Sequence, residues 1–228
     1  MENSGTRKHV AIIEQCAISE IGLKQLFSQT ADERFQFHFF KDYSTFLSAM
    51  VWTPFISLIY SLSGIRAQRL ACLKALNHME RHYPDRQRIV LAGNEMEQRL
   101  ISRFSPTTPH GIISKTTPLE TLQEQLWKWL NDSQPLNDIV LNLWYYSYDR
   151  MLSQAERDII YYTTEGYSTT DIAHYSRRNI KLIRAYKLSL MVKLGVRTDA
   201  ELLYAADILI QMQKTLNDPT APQRRIPA

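Results

Sequence analysis

The sequence predicts a doubly wound α/β domain of five parallel strands, followed by an all-α domain of four helices. In the first 130 residues, short apolar runs alternate five times with helical patterns, which is typical of a doubly wound sheet. In the last third of the chain, each of four helices is predicted by a residue that caps its amino terminus. A chain of 228 residues is long enough for two such domains.

The five predicted strands are runs of β-branched and aromatic residues that end at polar or turn-forming residues. They span residues 9–13, 35–40, 55–60, 88–92 and 111–114. Apolar side chains at helical spacing predict helices between and after them, at 18–29, 42–52, 66–83, 95–104 and 117–130. We expect the last of these helices to begin with a capping box formed by Thr117 and Glu120. We expect the first helix to bury its apolar stripe, Ile18, Ile21, Leu23 and Leu26.

Two capping boxes open the predicted helical domain. Ser153 with Glu156, and Ser168 with Asp171, have the spacing at which each side chain bonds the other residue's backbone N–H. Gly166 stands between the two helices, where a left-handed residue ends the first of them. Two short helices, a tight turn and then a longer basic helix are the pattern of a helix-turn-helix DNA reader.

The third helix of this domain lies between Asn179, its predicted cap, and Gly195. Seven Lys or Arg and no acidic residue occur from Arg177 to Arg197, and DNA favours such a segment because neutralised phosphates release counterions. A solvated basic helix would have the same composition, but the two capped helices upstream favour a reader. The residues that we expect to contact DNA, on or beside its outward face, are Arg177, Arg178, Lys181, Arg184, Ala185, Lys187, Leu188 and Lys193.

Four separated blocks resemble the helix-turn-helix domain of LuxR-type regulators and occur in that family's order. They are LSQAERDII from Leu152, EGYS from Glu165, DIA from Asp171 and KLGV from Lys193. The segment RNIKLIRA, residues 178–185, resembles the branch of the family that includes RcsB. The resemblance implies a bacterial transcriptional regulator that binds double-stranded DNA and acts together with an RcsB-type response regulator.

The third helix, which the resemblance makes the recognition helix, departs from the family at two positions. The turn before it departs at two more. Leu182 and Tyr186 replace a usual Thr and His, whereas Ser176 and Arg178 replace usual apolar residues. These changes leave the base preference open. They also leave open an alternative function, in which the chain titrates a partner regulator without binding DNA.

The fourth helix, predicted at 198–213, forms dimer contacts in LuxR-type regulators. Its apolar side is wider here than the core of one reader domain requires. The resemblance therefore implies a heterodimer with the RcsB-type partner. The residues of this helix that we expect at the dimer surface are Leu202, Leu203 and Leu209.

The amino-terminal half resembles the receiver domain of response regulators, with HVAIIE from His9, LIYSLS from Leu58 and GIISK from Gly111 also resembling a member of the same branch. By that resemblance Ser61 stands at the phosphoacceptor position, Gln15 replaces one magnesium-binding acid, and Ala92 replaces a hydroxyl residue. A serine hydroxyl cannot form the usual acyl phosphate, and Glu14 alone is a poor magnesium site. We therefore expect a pseudo-receiver that does not depend on phosphorylation.

Charge is distributed unevenly between the two halves. Residues 1–149 contain 15 basic and 15 acidic side chains, whereas residues 150–228 contain 12 basic and 8 acidic ones. The excess positive charge thus belongs to the predicted reader, as expected for a neutral partner-sensing domain joined to a nucleic-acid domain.

Two cysteines, Cys16 and Cys72, fit buried thiols in a reducing cytosol. His78 and His82 are four residues apart, but a solvated helix face is favoured over a metal site without a third ligand. The start of the chain has no signal-peptide pattern, and its longest apolar stretch is too short for a membrane span. We expect a cytoplasmic protein, nucleoid-associated when bound to DNA, with no cofactor, metal, membrane or small-molecule partner.

The predicted domain boundaries are 1–130 for the pseudo-receiver, 131–147 for a linker, 148–213 for the reader and 214–228 for a disordered tail. A sigma-factor-like reader would share the helix-turn-helix, but the α/β half disfavours it. Isolated side chains are all that support an enzyme.

Overall fold

A computed structural model describes residues 7–28, 32–62, 64–105, 107, 109–132 and 151–216. The chain divides into two compact units, a mainly amino-terminal α/β unit and a mainly carboxyl-terminal helical unit. Nearly all of the predicted linker, and residues 217–228 of the predicted tail, lie outside the described residues. The boundaries proposed from the sequence therefore stay predictions.

Strands and helices alternate through the described part of the α/β unit. The strands are β1 (Lys8–Ile13), β2 (Phe35–Phe40), β3 (Phe55–Ser61), β4 (Gln87–Ala92) and β5 (Gly111–Ser114). The helices are α1 (Ala17–Ser28), α2 (Tyr43–Met50), α3 (Arg66–His82), α4 (Glu95–Phe104) and α5 (Leu119–Asn131). The strands form one parallel sheet in the order β2-β1-β3-β4-β5, which confirms the predicted doubly wound class.

The central strands are buried on both faces, as their continuous apolar runs predicted. Residues 10–13 of β1 are completely buried, and so are Leu58 and Ile59 of β3. The carboxyl ends of β1, β3 and β5 therefore bring Glu14, Ser61 and the residues after Ser114 to one edge of the sheet. The residues predicted to form a degenerate receiver site therefore lie at this edge.

The inward face of α1 differs from the prediction. Leu23, Leu26 and Phe27 are buried, but Ile18 and Ile21 are 82% and 67% exposed. At 100° per residue these two isoleucines fall roughly opposite the buried stripe. The predicted stripe therefore joined residues from two faces of the helix.

The start of α5 also differs from the prediction. Pro118 occupies the cap position with ψ of 140°, and no side chain caps the helix. The helix thus begins at Leu119, too late for Thr117 to act as the cap. The backbone N–H of Thr117 instead donates to the carbonyl of Ser114 in the turn after β5.

The helical unit consists, in its described part, of α6 (Gln154–Thr164), α7 (Thr169–Tyr175), α8 (Ile180–Leu194) and α9 (Asp199–Leu216). Both predicted capping boxes are present, at Ser153 with Glu156 and at Ser168 with Asp171. Helix α8 packs against α6 and α7, and α9 packs mainly against α6. None of the helices in the described ranges is long and apolar enough to cross a membrane.

Helix α9 buries two of the three leucines that were expected at a dimer surface. Leu202 and Leu209 are 1% and 0% exposed, whereas Leu203 is 47% exposed. Leu202 and Leu209 lie on one stripe of the helix, and Leu203 is rotated about 100° away from Leu202. Assigning Leu202 and Leu209 to a free dimer surface was therefore wrong, because both side chains are buried.

Candidate nucleic-acid interface

Helix α8 is fixed at both ends by its own sequence. The side chain of Asn179 accepts a hydrogen bond from the backbone N–H of Lys181 at 2.8 Å. Gly195 ends the helix in the left-handed conformation, with φ of 70°, which glycine adopts without a Cβ clash. Ile183, Leu190 and Leu194 are buried, so the opposite side of the helix faces solvent.

The outward side of α8 presents a mixed basic and apolar stripe. Leu188 is 63% exposed, and one turn later Val192, which the sequence reading missed, is 81% exposed. Val192 lies four residues after Leu188, and this helical spacing was the available signal. The other exposed members of the stripe are Lys181, Arg184 and Ala185. The structure therefore brings together four of the eight predicted contact residues on one face.

The turn before α8 adds two exposed cations. Arg177 has φ of 52°, which makes it the only non-glycine residue with positive φ in the described ranges. The guanidinium carbon of Arg178 lies 5.9 Å from the centroid of the Tyr186 ring, within the range of a cation–π contact. Tyr186 is one turn inside α8, so the helix itself supports this arginine.

Two lysines that were predicted to contact phosphates are engaged within the helical unit. Lys187 Nζ lies 2.7 Å from Asp199 Oδ2 at the start of α9. Lys193 Nζ lies 2.7 Å from Glu156 Oε2, and Glu156 is only 2% exposed. An ammonium group paired with a buried carboxylate is not a free phosphate ligand. The sequence reading missed these pairs because the acids come from other helices.

Glu156 is a junction between α6 and α8. Its carboxylate accepts hydrogen bonds from the backbone N–H of Ser153 at 2.7 Å and from Ser189 Oγ at 2.8 Å, in addition to Lys193. Burial alone would raise the pKa of Glu156, but these hydrogen bonds outweigh it and lower the pKa to about 2. The capping carboxylate of α6 thus also holds the carboxyl-terminal half of α8.

A buried polar cluster lies in the α/β unit at the positions predicted for a degenerate receiver site. Glu14 is 3% exposed, and its Oε2 lies 2.5 Å from Ser61 Oγ and 2.7 Å from Lys115 Nζ. Its Oε1 accepts the backbone N–H of Cys16 at 2.9 Å. Lys115, which follows β5, therefore pairs with the one acid at this end of β1. The predicted phosphoacceptor position is occupied by a hydroxyl that bonds the same carboxylate.

No protein-family model matches the chain. The transcriptional activator protein BglJ of Escherichia coli (strain K12) is 39% identical over 214 residues, which cover 93% of this chain and 95% of BglJ. The chain belongs to the RcsB/BglJ branch of LuxR-type transcriptional regulators.

Two solved structures similar to this RcsB/BglJ-type regulator contain DNA. A complex of the two-component response regulator RcsB with DNA matches with a TM-score of 0.69 and 23% identity, over 90% of this chain and 100% of that chain. RcsB from Salmonella enterica serovar Typhimurium bound to the promoter P1flhDC matches with a TM-score of 0.68 and 24% identity, with the same coverage. At this identity the likeness shows the shared two-domain fold.

The α/β unit of this RcsB/BglJ-type chain buries one further acid, which the sequence reading missed. Glu97 on α4 is 1% exposed and accepts the backbone N–H of Gly93 at 2.6 Å. After β1, Gln15 Oε1 is buried and has no hydrogen-bond partner in the described part of the chain. The backbone N–H of Lys115 donates to the carbonyl of Ala92 at 2.8 Å. Glu97 lies in a helical stretch whose pattern gave no sign of burial.

The cysteines and the histidine pair of this RcsB/BglJ-type chain lie in separate places. Cys72 is buried, which raises the pKa of its thiol, but Cys16 is exposed, contrary to the expectation of two buried thiols. His78 Nδ1 lies 2.8 Å from the Tyr43 hydroxyl, and His82 Nδ1 lies 3.0 Å from the carbonyl of His78. In the described ranges, no three metal-binding side chains come together.

Proposed function

We propose that this regulator binds double-stranded DNA through the outward side of α8 and activates transcription. The observation that supports this proposal most directly is the exposed stripe of Lys181, Arg184, Ala185 and Leu188 on a helix that is capped and otherwise packed. The related solved RcsB structures hold DNA, and the relative BglJ is named a transcriptional activator. A basic recognition helix in the major groove would allow this regulator to bind DNA and to activate transcription.

The stripe has the chemistry for reading base edges. An arginine such as Arg184 can donate two hydrogen bonds to a guanine, and Ala185 and Leu188 offer apolar contact to a thymine methyl group. Arg177 and Arg178, on the preceding turn, would hold phosphates and fix the orientation of the helix. Lys187 and Lys193 would contribute only by giving up their ion pairs, so we assign them a smaller role in DNA affinity.

Replacing Arg184 tests this face. Arg184→Ala should weaken binding to operator DNA by about 1–3 kcal/mol and reduce discrimination between operator and random DNA. The measurement is a gel shift with an operator selected from a random DNA library by the wild-type protein. Lys214→Ala, which removes an exposed cation from α9, is the matched control and should bind normally. Normal binding by Arg184→Ala would contradict the assignment of the face.

We further propose that DNA binding does not depend on phosphorylation. Ser61 cannot form an acyl phosphate, and its hydroxyl donates to Glu14. Lys115, which would meet a phosphoryl group in a receiver, is held by the same carboxylate. The site thus satisfies its own charges without a phosphate.

The working species that we propose is a heterodimer with an RcsB-type response regulator. One recognition helix reads only a few bases, so useful affinity comes from two half-sites about one DNA turn apart. Leu203 is the exposed apolar residue of the predicted dimer set and offers one contact point. Such a regulator would act in the cytoplasm, associated with the nucleoid.

Sedimentation of the purified protein, alone and mixed with an RcsB-type partner, tests the pairing. We expect added mass on mixing, and a gel shift that needs both proteins. A stable homodimer that binds operator unaided, and gains no mass on mixing, would overturn the heterodimer. A mixed species that no longer binds any DNA would instead favour a protein that titrates its partner.

A further inference from the structure

We propose that four tyrosines on α6, α7 and the turn between them form a docking surface for a positively charged protein segment. This tyrosine surface consists of Tyr161, Tyr162, Tyr167 and Tyr175. The rings follow one another edge to face, with centroid distances of 5.5 Å for Tyr161–Tyr162, 5.6 Å for Tyr162–Tyr167 and 5.2 Å for Tyr167–Tyr175. The four rings are therefore one continuous surface.

The tyrosine surface is largely open to solvent. Tyr161, Tyr167 and Tyr175 are 54%, 39% and 59% exposed, and Tyr162 is half-buried beneath them. In the described part of the chain, none of the four hydroxyls takes part in a hydrogen bond. Large aromatic groups with a free polar end are enriched at the centres of protein interfaces, where they supply much of the binding energy. A connected set of them is more than the fold of α6 and α7 requires.

The surrounding charge identifies the chemistry of the partner. Residues 154–175, from the start of α6 to the end of α7, contain four acids and one basic residue, Arg157. Glu156 is buried and paired with Lys193, which leaves Asp158, Glu165 and Asp171. Residues 177–197, which include α8, contain seven Lys or Arg and no acid. A DNA backbone would be repelled by the first segment and attracted by the second. The tyrosine surface lies in the acidic segment and is thus suited to a positively charged partner.

Arginine and lysine side chains match both features of the surface. Their cations stack on tyrosine faces and pair with carboxylates, and arginine does both with one planar group. Asp171 contributes a charged carboxylate at neutral pH, since hydrogen bonds from the side chain and backbone of Ser168 lower its pKa. The occupant we infer is therefore a basic, arginine-containing segment of another protein. This inference goes beyond the proposed DNA binding and does not depend on it.

A labelled synthetic peptide of alternating Arg and Ala tests the surface by fluorescence polarisation with the full-length protein. We expect the double variant Tyr161→Ser/Tyr175→Ser to bind the peptide about tenfold more weakly, because two cation–π contacts are lost. The double variant Tyr161→Phe/Tyr175→Phe keeps both rings and should bind nearly as well as the wild type. Arg184→Ala should leave peptide binding unchanged even if it weakens DNA binding, which separates this test from that of the proposed function.

Several outcomes would overturn the proposal. One is equal binding of the serine double variant and the wild type, and another is equal binding of a peptide with Glu in place of Arg. A third is loss of operator binding by the serine variant in step with peptide binding. Self-association that the serine variant abolishes would show that a second copy occupies the surface. Glu165→Lys keeps all four rings, so it should weaken peptide binding through charge alone even if the serine variant fails to fold.

Discussion

The carboxylate of Glu156 stabilises both the start of its own helix, α6, and the packing of α6 against α8. It completes the capping box of α6 and also binds Ser189 and Lys193 on α8. A buried carboxylate that lost these partners would be an unpaired charge, which is strongly destabilising. The orientation of α8 therefore depends on a residue outside α8.

Acidification should reveal the contribution of Glu156 to stability. Its pKa is lowered from 4.5 to about 2 in the folded protein, so its contribution is complete above pH 4.5 and is lost as the pH falls toward 2. The full contribution is up to about 3 kcal/mol of unfolding free energy. Urea unfolding followed from about pH 6 to pH 2 measures it.

The control for this prediction is Glu156→Gln, which cannot titrate. Its unfolding free energy should be lower than that of the wild type at neutral pH and should fall less steeply on acidification. If the two proteins lost stability in parallel between pH 4.5 and 2, other carboxylates would be responsible for the acid sensitivity.

Arg178 and Tyr186 should act as a pair in DNA binding. The tyrosine ring supports the guanidinium, so Tyr186→Leu should weaken operator binding when Arg178 is present and have little effect in an Arg178→Ala background. The coupling free energy from the four gel-shift affinities should be about 0.5–1 kcal/mol. Tyr186→Phe keeps the ring and should show almost full coupling. Strict additivity of the two substitutions would mean that the contact does not position the arginine.

At the scale of single elements, the features that could be predicted are those that short sequence spacing determines. The capping boxes at Ser153 and Ser168, and the left-handed end of α8 at Gly195, depend only on neighbouring residues and were predicted correctly. The five-strand alternation was equally clear, because buried parallel strands have continuous apolar runs.

The features that could not be predicted are those that depend on which side of a helix packs against which neighbouring helix or sheet. Helical spacing places Ile21 and Leu23 of α1 about 200° apart, but it does not show which of the two faces the core, since both are large and apolar. The ion pairs that engage Lys187 and Lys193 use acids on α9 and α6, which sequence spacing cannot connect to α8. These contacts exist only once the helices have packed, so the sequence could not show that the two lysines are already paired.

Helix α9 offers a direct contrast between core and surface. Leu209→Asp places a charge at a fully buried position and should unfold the helical unit, with a loss above about 4 kcal/mol. Leu203→Asp changes a half-exposed position and should alter the unfolding free energy by less than about 1 kcal/mol, while weakening association with an RcsB-type partner. Thermal unfolding and sedimentation separate the two effects. Normal stability of Leu209→Asp would contradict the packing of α9.

At the scale of the whole molecule, we propose that the receiver-like fold persists without the residues that phosphorylation of a receiver requires. Incubation with acetyl phosphate and Mg²⁺ should therefore add no acid-labile phosphate, because Ser61, Gln15 and Ala92 each lack a required group. Intact-protein mass spectrometry measures this directly, with a phosphorylatable RcsB-type regulator as the positive control. A stoichiometric mass increase that disappears in Ser61→Ala would show that the site still accepts phosphate.

At Arg177, the left-handed backbone brings the stability of the protein into conflict with its affinity for DNA. A non-glycine residue with φ of 52° costs roughly 1 kcal/mol, which a glycine at this position would recover. Glycine would also remove a cation from the approach to the recognition helix. A version of this protein optimised for heat resistance would therefore tend to lose charge at this turn, and a version optimised for holding DNA would retain the strained arginine.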